Sequence, residues 1–87
     1  MITRKIKKNF KKILKKELRK DVAKVVRIDL TQPEELRKNY YYIVAIWYKK
    51  DNKNMLGTFY ISEIDIMNFE IAKEDFLNII RSKIWNW

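Results

Sequence analysis

In the first twenty positions, apolar residues fall at Ile2, Ile6, Phe10, Ile13, Leu14 and Leu18, with polar residues between them. Steps of three and four are the signature of a helix with one apolar stripe, because 3.6 residues complete a turn. Thr3 is placed to cap its start, although no acid follows three residues later to complete a capping box. Glu17 projects onto the apolar stripe. It either marks the fraying end of the helix or pairs with a base from the rest of the domain.

The period then changes. Residues 22–30 are rich in β-branched side chains and predict a strand, with Val26, Ile28 and Leu30 on one face and Val25, Arg27 and Asp29 on the other. Thr31-Gln32-Pro33-Glu34-Glu35 combines a capping hydroxyl, an early proline and two acids, which predicts a short helical turn or a long loop. This connection is too short for a parallel crossover, so the chain returns antiparallel. Residues 40–48 are apolar or aromatic on both faces and predict a central strand. A polar loop over 49–54 leads to a hairpin partner over 55–61, in which Gly57 suggests a bulge or a close backbone approach.

Residues 62–71 fit two patterns. Met67, Phe69 and Ile71 alternate like an edge strand, whereas Ser62 with Asp65 opens a helix. In the tail, Phe76, Ile80 and Ile84 recur every four residues beside Leu77, Ile79 and Trp87, predicting a second amphipathic helix. The order α-β-β-β-(β or turn)-α defines the α+β class: a single domain over 1–87, with a three- or four-stranded antiparallel sheet and the terminal helices packed on one face.

Composition narrows the class. A chain of 87 residues supports one modest core, and its 47% hydrophobic and 14% aromatic content argues against disorder. There is no Cys and no His. Disulfides, thiol nucleophiles, Ser-His triads and ordinary zinc sites are thereby excluded, and a reducing, cytoplasmic setting is expected. Glu63 with Asp65, or Glu74 with Asp75, are the acid pairs nearest to a metal site, but scattered acids in so charged a chain read as surface. No cofactor and no enzymatic activity are expected. The longest uncharged run, 39–48, is too short to span a bilayer, and the basic start lacks the apolar core of a secretory signal.

Charge changes the picture most. The net charge is +9. Residues 1–20 hold ten of the twenty Lys and Arg and one acid, Glu17, while residues 21–87 balance ten bases with ten acids. An AT-rich coding sequence would inflate Lys, Ile, Asn and Tyr together, but it would not exclude acids from one end. A neutral domain carrying a basic helix points to a polyanionic partner. On a helical wheel Arg4, Lys8, Lys11, Lys12, Lys15 and Arg19 lie opposite the apolar stripe, flanked by Lys5 and Lys16, with Lys7 at its edge. Pairs at i,i+4 such as Lys8–Lys12 and Lys12–Lys16 are like-charged, and each costs about 0.2–0.5 kcal/mol in an isolated helix.

The reading favoured by this pattern is a nucleic-acid-binding module that contacts DNA or RNA phosphates without reading sequence, since Lys dominates and only Arg4, Arg19 and Asn9 could read bases. An aromatic sheet face formed by Tyr40, Tyr42, Tyr48 and Tyr60 is a second expected surface, able to stack unpaired bases. The alternative is a protein-interaction module, such as a phage or mobile-element inhibitor of a nucleic-acid enzyme, with the basic helix docked in an acidic or RNA-lined groove. Membrane binding ranks lower, because the apolar stripe is needed for the core. The element order resembles that of the double-stranded-RNA-binding domain in topology alone. In that family the second helix opens with a basic patch, whereas here it opens with Ala72-Lys73-Glu74-Asp75.

Overall fold

The computed structural model describes residues 2–21 and 24–85. Helix α1 runs from Arg4 to Asp21. Thr3 caps it as expected: its Oγ1 accepts from the Ile6 N–H at 3.2 Å and its carbonyl accepts from the Lys7 N–H at 3.0 Å. Strand β1 (Val25–Thr31) leads through the single turn α2 (Glu34–Arg37) into β2 (Tyr41–Lys50) and β3 (Lys53–Ser62). Pro33 occupies the cap position of α2, with no side-chain hydrogen bond, so the Thr31 hydroxyl is not the cap. The sheet order is β1-β2-β3, antiparallel throughout, and β2 is central as its two apolar faces predict.

The ambiguous stretch is helical. Ser62 ends β3 and caps α3 (Glu63–Met67), its hydroxyl accepting from the Asp65 N–H at 3.2 Å. After Asn68 the chain continues as α4 (Phe69–Ile80) and closes in a π-helical turn over Arg81–Trp85. The alternation of Met67, Phe69 and Ile71 does not make a strand. Phe69 enters the core, while Met67 and Ile71 face solvent. Val22 and Ala23 of the expected first strand and Trp87 of the expected last helix lie outside the described residues.

All the buried residues form one cluster between the helices and one face of the sheet. Phe10, Leu14 and Leu18 come from α1, Val44, Ile46 and Tyr48 from β2, Phe59 and Ile61 from β3, and Phe69, Phe76, Leu77 and Ile80 from α4. Phenylalanines knit the layers together. Phe10 meets Phe69 edge-on at 4.6 Å between ring centroids, and Phe76 lies 6.0 Å from Phe69 and 6.2 Å from Phe59.

Two local features set which residues reach that core. The β1–β2 pairing shifts register between Val25 and Arg27. The bulge turns Val25 inward and leaves Val26 exposed, the reverse of the expected alternation, while Ile28 and Leu30 stay inside. The β2–β3 hairpin closes on two residues, Asp51 and Asn52, both at positive φ (52° and 63°), the turn geometry whose twist matches paired strands. The expected six-residue loop is therefore mostly strand. Gly57 stands opposite Ile46 on the helix side without a bulge. Among the described residues, no helix is long and apolar enough to cross a membrane.

Candidate functional site

Helix α1 is 18 residues long, about 27 Å at 1.5 Å per residue. Of the eight basic residues expected on its outer face, Arg4, Lys5, Lys8, Lys12, Lys16 and Arg19 are exposed. Lys11 and Lys15 are not opposite the stripe: both are half-buried along its border, with Lys7. The core line on α1 is Phe10–Leu14–Leu18, while Ile6 and Ile13 are only half-buried. Steps of four advance 400° and so drift about 40° per step. That drift turns the buried stripe toward Lys7, Lys11 and Lys15, whose aliphatic stems can lie on apolar surface while the charge reaches water.

Among the described residues, none of the eight forms an ion pair. The paired charges lie on the opposite border of the stripe. The Glu17 carboxylate accepts from Lys20 Nζ at 3.0 Å and lies 3.9 Å from Lys73 Nζ on α4. The Lys20 hydrogen bond, with the charges of Lys20, Lys73 and Lys16, outweighs burial and holds the Glu17 carboxyl below its usual range. Lys73 also meets Glu70 at 3.3 Å, and that hydrogen bond holds its ammonium pKa above the ordinary lysine value. Glu17 is thus the α1 end of a short ion-pair network that fastens the helix to α4.

That fastening sets α1 beside an acidic neighbour. Residues 63–80 carry Glu63, Asp65, Glu70, Glu74 and Asp75 against one base, Lys73. The exposed cations of α1 are therefore bounded on one side by carboxylates. On the other side they run into the border of Lys7, Lys11 and Lys15, opposite the Glu17 side that meets α4.

The second expected surface is assembled differently. Tyr48 is in the core at 7% exposure, and Tyr42 is half-buried against it. Burial, before any charge effect, pushes the Tyr42 phenol pKa up. Tyr40 precedes β2 and belongs to neither sheet face. Only Tyr60 of the four lies on the uncovered face, at 66% exposure. The open face is carried by the other parity of β2, Tyr41, Ile43, Ala45 and Trp47, with Leu56, Thr58 and Tyr60 of β3 and Arg27 and Asp29 of β1. The Arg27 guanidinium lies 4.2 Å from the Trp47 ring centroid and 3.1 Å from the Asp29 carboxylate.

The signal that would have found Tyr41 and Trp47 is the Asp51-Asn52 turn. A two-residue turn there fixes Tyr60 opposite Ile43 and Leu56 opposite Trp47, and so decides which tyrosines share a face. Among the described residues, no three Asp or Glu side chains gather where a metal could be held. Compared with protein-family models, with curated proteins and with solved structures, the chain matches none.

Proposed function

We propose that this protein binds nucleic acid through phosphate contacts made by the exposed cations of α1, without reading base sequence. One observation carries the reading: Arg4, Lys5, Lys8, Lys12, Lys16 and Arg19 stand exposed along one rigid helix with no carboxylate paired to them among the described residues. Like charges at i,i+4 oppose helix formation, and phosphates laid along them would relieve that repulsion. Lysines neutralise phosphate as point charges and carry little base selectivity. The burial of Phe10, Leu14 and Leu18 against the sheet speaks against membrane insertion, because it leaves α1 no apolar face to give to lipid.

The test is capture of partners from source-cell lysate by the tagged protein, with and without nuclease. The expected result is co-purified nucleic acid that nuclease removes, together with any protein carried on it. Partners that all survive nuclease would overturn the reading in favour of a protein that offers α1 an acidic groove.

A further inference from the structure

We infer that the open face of the sheet is a stacking platform for unpaired bases, so that the nucleic acid held by α1 is single-stranded. This rests on the phosphate-binding reading of α1 and adds the class of ligand. Three aromatic rings stand on that face, Tyr41 and Trp47 on β2 and Tyr60 on β3. Tyr60 is opposite Ile43 and so diagonal to Tyr41, and Trp47 lies six residues along β2, about 20 Å from Tyr41. That span suits a few bases laid flat, and only an unpaired strand offers free π faces to such rings.

The charge around the rings favours a polyanion over an apolar partner. The sole carboxylate among the strand residues of the face, Asp29, is neutralised by Arg27, whose guanidinium already lies against Trp47. At the Trp47 end the Lys49 N–H donates to the Lys24 carbonyl at 3.0 Å, which brings two exposed lysines together. The net charge of +9 makes whole copies of the chain repel one another, so self-association is opposed where a phosphate chain is attracted.

The two surfaces are also joined. Helix α1 packs against β1, which is an edge strand, and its half-buried Lys7, Lys11 and Lys15 lie on the border of the stripe opposite Glu17, the residue that meets α4. Arg27 projects from the other side of β1. A flexible strand therefore needs to cross only one sheet edge to pass from the cations of α1 to the rings. A stiff duplex cannot make that turn.

The experiment measures fluorescence anisotropy with a labelled oligothymidylate of about fifteen nucleotides, in the size range single-strand binders cover, and with a duplex of equal length. Four proteins are compared: the native chain, Tyr41→Ala/Tyr60→Ala, Tyr41→Phe/Tyr60→Phe, and Lys8→Gln/Lys12→Gln/Lys16→Gln/Arg19→Gln. Both tyrosines are exposed, so the fold survives their removal, and circular dichroism verifies this. The native chain should prefer the single strand. The alanine pair should weaken single-strand binding at least about fivefold while leaving duplex binding within about twofold, and the phenylalanine pair should bind like the native chain.

Unchanged single-strand affinity in the alanine pair, or equal loss for both ligands, would overturn the platform while leaving the α1 reading intact. Self-association of the native chain that the alanine pair abolishes would overturn it in favour of a second copy. Full retention of both ligands by the α1 variant would instead overturn the phosphate-binding reading itself.

Discussion

Tyr40 holds a backbone that bulky side chains avoid, with φ at 56°. Its N–H donates to the Arg37 carbonyl at 3.2 Å, and its carbonyl accepts from the Glu63 N–H at 2.8 Å. The turn into β2 and the start of α3 thus both hang on this residue. The ring is 65% exposed, so little packing is lost without it. Asn visits this region more readily, and Tyr40→Asn should stabilise the protein by about 1 kcal/mol, read as a higher denaturant midpoint with unchanged slope. At Glu17 the sign is set by a lowered carboxyl pKa. The stabilisation is present above the ordinary value near 4.5 and is lost as pH falls through the folded-state pKa. Glu17→Gln should therefore flatten the fall in melting temperature between about pH 5 and pH 3; an acid limb as steep as that of the native chain would contradict the network described. Residue identity was legible where period and chemistry agreed, as at Thr3, Phe10 and Leu14. It was illegible in Tyr40-Tyr41-Tyr42, where three identical residues carry no parity and only pairing with β3 assigns them.

At the scale of elements, α1 has two duties that pull against each other. Its inner stripe anchors the core through Phe10, Leu14 and Leu18, while its outer face concentrates like charge. Neutralising that face should stabilise the helix while weakening the proposed phosphate binding. Lys8→Gln/Lys12→Gln/Lys16→Gln should melt at a higher temperature than the native chain in low salt, with the difference shrinking as salt screens the repulsion. A lower melting temperature in low salt would mean that these lysines support the fold. The elements themselves were mostly legible, because amphipathic helices and alternating strands announce themselves by period. Their boundaries were less so. A bulge at Val26 reversed part of one strand, a two-residue turn replaced an expected loop, and the Ser62 cap decided a segment whose apolar spacing suited strand and helix equally.

For the whole molecule, the charge asymmetry was countable in the sequence, but its arrangement was not. The acids of α3 and α4 lie far from α1 in the chain, and packing brings them alongside, bridged through Glu17 and Lys73. The result is a lopsided helical layer: Lys12 and Lys16 share a cleft with Glu70 and Lys73 of α4, while Lys7, Lys11 and Lys15 line the other border of α1, which packs on the β1 edge strand. The open sheet face lies around that edge, in a molecule measuring 38 × 25 × 21 Å. The central claim is that the cations of α1 neutralise phosphates. Its most direct test is the salt dependence of single-strand affinity in the native chain and in Lys8→Gln/Lys12→Gln/Lys16→Gln/Arg19→Gln. The logarithm of affinity should fall linearly with the logarithm of salt, and the variant's slope should be shallower by about 3, since each phosphate contact contributes about 0.7. The same slope in both proteins, or a native slope near zero, would contradict it.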